Sequence, residues 1–374
     1  MSGAARSASA DASYMRRALA LAREGWGHTA PNPMVGAVVV ADGAIVGEGY
    51  HASYGEAHAE VNALRAAGDR ARGATLYVTL EPCAHVGKTP PCTDAVIAAG
   101  IARVVAAVRD PSPIARGGIE RMQSAGIHVD VGVERAAALE LNAPFFHAHC
   151  SDRPWVTLKL ALSADGLVAD PAGKLRWITN AESRAEVHRL RANGDAIAVG
   201  VGTVLADDPL LTVRDARAPR VPPRRVVFDS ALRTPPDSRV IRTARSVETI
   251  LIARTGVAPA SPRAESALRA AGVTIARCAS VRDSLVWLRS RGVRALFVEG
   301  GPKLAGSFLR ESLADRLVIF RSPLVIGGNE PRGFAFAPST FEAGLAERRV
   351  LEHRRFGDDV MTTYELRELS CSPD

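Results

Sequence analysis

A chain of 374 residues fits two average domains, each able to bury a core, and its 47% hydrophobic content is that of a globular protein. No apolar run is long enough to span a membrane, and the small, polar opening MSGAARSASADAS lacks the apolar h-region of a secretory signal. The net charge of +7 comes from basic residues spread along the chain, without a basic tail or basic–aromatic stripe, which favours an Arg-rich solvated surface over a nucleic-acid face.

Five cysteines, an odd and sparse count, point to a reducing, cytoplasmic setting and away from a disulfide framework. Only Lys88, Lys159, Lys174 and Lys303 supply an ammonium among 47 basic residues, so these four are candidates for positions where Arg will not serve.

Residues 1–12 read as a loose tail. Apolar positions at helical spacing follow in YMRRALALAREG, then two strands, MVGAVVV and AIVGEGY, joined at Asp42-Gly43, a dipeptide suited to a tight hairpin. AHAEVNALRAAG reads as a helix, ATLYVTL as a strand, CTDAVIAAG as a helix and RVVAAV as a strand. Beyond GIHVDVGV and the helical ERAAALELN, the segment FFHAHCSDRPW is polar and broken. It sets a boundary near residues 147–153, giving domains 13–150 and 151–374. The second half opens with the strand WVTLKLALSADG and a helix, TNAESRAEVHRLRANG, capped by Thr179 or Asn180. DAIAVGVGTV, RRVVFD and TILIA read as strands, SVRDSLVWLRSRG as a helix, and RALFVEG as a strand. The helix PKLAGSFLRESL and the strands RLVIF and DVMTTYEL complete it. Alternating strands and helices predict two tandem three-layer α/β domains with mostly parallel sheets.

Within the first half, His58 and Glu60 stand as His-x-Glu at a helix start, Cys83 ends a strand and Cys92 opens a helix. One imidazole and two thiolates are three ligands of a tetrahedral zinc that keeps its fourth position for water. A helix N-terminus is expected to lower the Cys92 pKa. Glu60, two residues past a ligand, is placed to take a proton from the acidified water and return it to a leaving amine, the logic of hydrolytic deamination. His85 is the competing ligand, inside the gap between the cysteines. That gap is eight residues, where the general zinc-deaminase signature has two.

The motifs APNPMVGAVVV, GEGYH, HAEVNAL, YVTLEPCAHVGKTPPC and ARVVAAVRDPSP resemble the deaminase half of the bifunctional riboflavin-biosynthesis deaminase–reductases, a family in which the long cysteine gap is the rule. The resemblance implies a cytidine-deaminase-like fold, zinc on His58, Cys83 and Cys92, and Glu60 as the catalytic acid–base. It also implies contacts from Asn32, His51 and Lys88 to the pyrimidine or its phosphoribosyl group. The stretch DPSPIARGGIERM is a residue shorter than the family's loop.

In the second half, KLALSADG, RWIT, VGVGTVLADDPLLTVR, FDS and VEGGPKLAGSF resemble the family's reductase, whose fold is similar to dihydrofolate reductase. NADPH is then expected along Ala161, Trp177, Thr203, Asp207 and Ser230. It would continue over the strand-to-helix turn of Gly301, Pro302, Lys303, Leu304, Ala305, Gly306 and Ser307. The ribose phosphate is expected at Arg191, Leu211 and Arg214, with Glu299 near the sugar, and the family's polar residue near position 175 is replaced by Leu175. Lys159 and Glu299 are candidates to polarise or orient the sugar as hydride reaches its first carbon; a buried Lys–Glu ion pair is the alternative.

The chain is thus expected to deaminate 2,5-diamino-6-(5-phosphoribosylamino)pyrimidin-4-one with zinc and then to reduce the ribosyl group of 5-amino-6-(5-phosphoribosylamino)uracil with NADPH. Its partners would be that phosphorylated pyrimidine and copies of itself in a homo-oligomer, with no nucleic acid or membrane. Two rivals stand beside it. One is a nucleic-acid or nucleoside deaminase with an appended binding domain; the other is a zinc-stabilised scaffold without activity.

Overall fold

The computed structural model describes residues 3–169, 177–328 and 332–369. Leu175 and Cys371 lie outside them. The chain divides into two compact units, Met1–Cys150 with Leu369–Asp374, and Ser151–Glu368.

The first unit is built on a five-stranded sheet of β1 (Gly36–Ala41), β2 (Ala44–Tyr50), β3 (Thr75–Val78), β4 (Arg103–Ala106) and β5 (His128–Val131). Their order is β2-β1-β3-β4-β5; β1 runs antiparallel to β2 and β3, and β3, β4 and β5 are parallel. Asp42 and Gly43 both have positive φ, as a two-residue hairpin turn requires. Every residue of β1 from Gly36 to Val40 is buried, so this central strand is covered on both faces. The helices Gly3–Ala22 and Ala59–Ala67 contribute Met15, Ala18, Leu19, Ala59 and Ala63 to that core.

The first helix corrects the expected tail. It begins at Gly3, and Asp11 within it is buried, accepting from Tyr77 Oη at 2.6 Å and from two Arg103 nitrogens at 3.1 and 2.9 Å. Those partners lie 66 and 92 residues away, so local composition carries no sign of them. The segment read as broken is likewise helical at first, over Ala143–Ala148. Cys83, Cys92 and Cys278 are free thiols.

The second unit holds β6 (Trp155–Leu162), β7 (Ala196–Gly200), β8 (Arg224–Phe228), β9 (Thr249–Arg254), β10 (Thr274–Cys278), β11 (Ala295–Val298), β12 (Arg316–Arg321), β13 (Val350–Phe356) and β14 (Asp359–Glu365). The sheet order is β10-β9-β8-β7-β11-β6-β12-β14-β13, parallel from β10 to β12 and antiparallel at β14 and β13. Alternate residues of β7 and β9 serve different cores. Ala196, Ala198, Ile250 and Ile252 pack with Leu285 and Phe308, and Ile197, Val199, Leu251 and Ala253 pack with Val204 and Leu268. Helices therefore cover both faces, and the three-layer expectation holds.

Asn180 caps the helix Ala181–Ala192, its side chain accepting from the Ser183 N–H. The stretch DAIAVGVGTV is strand only to Gly200; Val201–Asp207 is a helix. β13, with charged residues at four of its seven positions when His353 is counted, has no alternation to betray it because neither face is fully buried.

Candidate active sites

In the first unit, the motif GEGYH prepares the site. A Cβ on Gly47 would come 2.3 Å from Ala63 O, and one on Gly49 would come 2.4 Å from Ala63 N. Bare backbone at these two places lets the helix Ala59–Ala67 settle onto β2, which fixes His58 at its N-cap and Glu60 in its first turn. β3 leads towards Cys83, and Cys92 opens the helix Cys92–Ala98.

Ligand atoms of His58, Cys83 and Cys92 all lie within 4.8 Å of one another. His58 Nδ1 is 3.2 Å from Cys92 Sγ and 3.6 Å from Cys83 Sγ. Zinc–ligand bonds of about 2.0–2.3 Å at tetrahedral angles put donor atoms roughly 3.3–3.8 Å apart, so the cluster has the size of a zinc site. His85 is not part of it.

Hydrogen bonding with Cys92, opposed by burial and helped by His58, pulls the Cys83 thiol down to about 4. The same bond, with burial, pushes Cys92 up. A seven-residue helix offers less than the repulsion of a neighbouring thiolate. A dication held by both sulfurs would supply the field that favours two thiolates.

Glu60 is 3% exposed, and its Oε2 has no hydrogen-bond partner. Burial pushes its carboxyl above the ordinary range, with the His58 charge pulling the other way. A buried, unpartnered carboxyl oxygen beside a metal-sized cluster is costly unless something else binds there.

His51 is buried with its ring edge-on to His58, the centroids 5.2 Å apart. Its Nδ1 lies 3.2 Å from Ala57 O, and its Nε2 lies 3.2 Å from Asn32 Nδ2. Donation to the carbonyl from Nδ1 leaves Nε2 to accept from the Asn32 amide. Burial lowers the His51 pKa and so keeps the ring neutral in that arrangement. Lys88 is exposed, its Nζ 4.2 Å from the Tyr54 ring centroid, which joins the cysteine loop to the loop before His58.

In the second unit, the parallel register pairs Leu158 with Val298, so the next residues, Lys159 and Glu299, stand side by side on β6 and just past β11. Glu299 takes a bidentate ion pair from Arg191 Nε and Nη2. Burial works against the Glu299 carboxylate, but the charge and bonds of Arg191, with the charge of Lys159, hold its pKa below the ordinary value. Burial lowers the Lys159 pKa, and Glu299 opposes that. The carboxylate's contact partner is thus Arg191, and Lys159 acts on it through charge.

The residues expected along NADPH sit where successive strands of the sheet end. Ser230 follows β8, Thr203 and Asp207 lie on the helix after β7, Gly301 caps the helix Pro302–Arg310 after β11, and Ala161 is near the end of β6. Pro302, Lys303, Leu304, Ala305, Gly306 and Ser307 all belong to that helix. Strand order β8-β7-β11-β6 makes them one continuous rim at the carboxyl ends, the place where open α/β sheets take ligands. Trp177 is 56% exposed and so is not ordinary core; the Arg184 guanidinium lies 5.2 Å from its centroid.

Leu211 and Arg214 occupy a loop in which Asp208, Leu211 and Asp215 all have positive φ. Arg191 donates to Thr212 O at 3.0 Å, and the fully buried Arg225 donates to Leu210 O at 3.3 Å. His188, on the same helix as Arg191, accepts from the Arg214 N–H through Nδ1 at 3.0 Å. Neither stands out in sequence: His188 meets a backbone N–H of this loop, and Arg225 spreads its other bonds over Thr243 Oγ1, Thr249 Oγ1 and Val247 O, 18 to 24 residues along the chain.

Burial, then the charges of Arg191 and Arg214, push the His188 pKa down to about 4, with Glu299 and Asp215 opposing. An unfolded His titrates near 6.5, so between about pH 6.5 and 4 the unfolded chain binds a proton that the folded chain refuses. Stability from this group is present above that window and is lost as pH falls through it. His188→Gln, which keeps an acceptor oxygen, is expected to reduce the acid destabilisation by roughly 2 kcal/mol. Urea midpoints of both chains at about pH 7 and pH 4.5 measure it; equal acid shifts in the two chains would remove His188 as the cause.

Residues 8–108 match the family model of the cytidine and deoxycytidylate deaminase zinc-binding region, and residues 154–362 match that of the RibD C-terminal domain. The chain is 46% identical over 356 residues to the riboflavin biosynthesis protein RibD of Aquifex aeolicus, covering 95% of this chain and 98% of that protein. It is 42% identical over 366 residues to the RibD of Escherichia coli, covering 94% and 98%. A solved structure from Thermotoga maritima, titled a diaminohydroxyphosphoribosylaminopyrimidine deaminase/5-amino-6-(5-phosphoribosylamino)uracil reductase, superposes with a TM-score of 0.81 at 35% identity. The match covers 96% of this chain and 99% of that one.

Proposed function

The chain belongs to the RibD family of bifunctional riboflavin-biosynthesis deaminase–reductases, and on that premise we propose substrates and residue roles for its two sites. The first unit deaminates the diaminopyrimidine bearing a phosphoribosylamino group, and the second reduces the ribosyl group of the resulting uracil to ribityl. The observation that carries the first step is the unpartnered Glu60 Oε2, buried beside His58, Cys83 and Cys92.

His58, Cys83 and Cys92 would hold zinc, which when bound would supply a water acidified towards neutral pKa. Glu60 takes a proton at Oε2 and returns it to the departing amine, so the carboxyl ends the cycle as it began. Asn32, its amide nitrogen directed to His51, keeps its carbonyl oxygen for the pyrimidine edge. Lys88 offers its ammonium to the phosphoribosyl group.

NADPH supplies the hydride to the first sugar carbon. Ala161, Trp177, Thr203, Asp207, Ser230 and the Gly301–Ser307 turn would hold it, the last at a nine-residue helix N-terminus whose N–H groups suit phosphate. Arg191 and Arg214, with the Leu211 backbone, receive the ribose phosphate; a guanidinium fork matches its oxygens. Lys159, its ammonium made more acidic by burial, polarises the sugar oxygen, and Glu299 orients the sugar hydroxyls.

Expected assembly is a homo-oligomer in the cytoplasm; no helix among the described residues is long and apolar enough to cross a membrane. The purified chain is expected to oxidise NADPH with either the diamino or the deaminated pyrimidine phosphate and to release ammonia only from the former. NADPH consumption without any pyrimidine, or none with either, would overturn the reductase assignment.

A further inference from the structure

Glu81 is 3% exposed, and its carboxylate is bonded to backbone alone. Oε2 accepts from the Asp110 N–H at 3.0 Å, and Oε1 accepts from the Gly117 N–H at 3.0 Å and the Ile119 N–H at 3.1 Å. Asp110 enters a loop and Gly117 leaves it, so one side chain ties both ends together. Inside, Asp110 Oδ1 accepts from the Ser112 N–H at 2.8 Å.

This loop lies against the metal cluster. Ala115 is buried against Cys83 and Cys92, and its carbonyl accepts from the Ala84 N–H at 3.2 Å. A Cβ on Gly118 would stand 1.8 Å from Pro82 O, so the loop's return leg presses on the peptide between Glu81 and Cys83. The side chain that closes the loop is thus two residues from a ligand that the loop covers.

We propose that Glu81 is a positioning residue of the deaminase reaction, its carboxylate fixing the 110–118 loop as a wall of the site and so setting how tightly the phosphoribosyl pyrimidine is held. This rests on the deaminase reading above. The need for a carboxylate follows from counting donors. Three N–H groups converge on two acceptor oxygens, and an amide would turn an NH2 group towards at least one of them. A wall displaced by a fraction of an ångström changes the fit of bound substrate more than the chemistry at Glu60.

Glu81→Gln in the full chain tests it. The expected result is a rise of about tenfold in KM for deamination with kcat within about twofold. Amide hydrogen exchange at residues 111–117 should be faster, while zinc stays at one per chain and NADPH oxidation with the deaminated substrate is unchanged. Wild-type KM and exchange would overturn the proposal, as would loss of zinc from folded protein or a fall in kcat at constant KM. Should Glu81→Gln not fold, Glu81→Asp keeps both acceptors on a shorter stem and is expected to shift KM and exchange in the same direction; no shift overturns the proposal. If the wild-type chain itself releases no ammonia, it is the deaminase reading that fails, a result distinct from all of these.

Discussion

Glu60→Gln is expected to lower deamination by about 10²–10⁴-fold while zinc remains at one per chain and the reductase step keeps its rate. The substitution is close to isosteric. Oε2 of Glu60 has no hydrogen-bond partner, so replacing that oxygen by NH2 breaks no bond there. What disappears is the capacity to accept and return a proton. Metal content, ammonia release, and NADPH oxidation with the deaminated pyrimidine are three separate readings of one protein. Retained deamination would remove Glu60 as the proton carrier, whereas a wild-type chain that binds zinc and releases no ammonia would favour the zinc-scaffold alternative, in which the His58–Cys83–Cys92 cluster only braces the fold. Loss of zinc would mean that Glu60 supports the ligands.

Lys159→Met is expected to lower the reductase kcat by at least about 100-fold with NADPH affinity within about twofold. Lys159 is a cleaner target than Glu299. Removing the Glu299 carboxylate would leave the Arg191 guanidinium and the Lys159 ammonium facing each other without an anion, at a cost of several kcal/mol. Removing the ammonium leaves Glu299 still held in two bonds by Arg191, and Met fills much the same volume. Single-turnover reduction with NADPH in excess, with cofactor affinity taken from fluorescence titration, separates the two quantities. A wild-type kcat would reduce Lys159 to a packing residue beside Phe320.

The zinc cluster was legible because its ligands stand at strand and helix ends, where composition and turn residues reveal the element boundaries. Glu60 was legible through its distance from His58. Lys159 and Glu299 could be named from the sequence, but their adjacency depends on the β6–β11 register, which no local pattern carries. Glu81 was hidden because its partners are main-chain amides 29 to 38 residues away, and any residue type offers an amide. His188 was hidden for the same reason. β10 (TIARC) is hidden in the sequence because Ala and Arg dilute its alternation, and the helical start of the chain because Asp11 needs Arg103 to hold it.

The place of β11 has a consequence for how the second unit is made. β6 and β7 are consecutive in the chain, yet they are not neighbours, because β11 fills the gap between them. A nascent chain released no further than about residue 290 would therefore hold two apolar strands with open edges and nothing to pair between them. The central layer closes only when Ala295–Val298 arrives, and the same event brings Glu299 to Lys159. Completion of the sheet and the meeting of the two residues proposed for the reductase step are one event in this topology, so a fragment ending before β11 has neither.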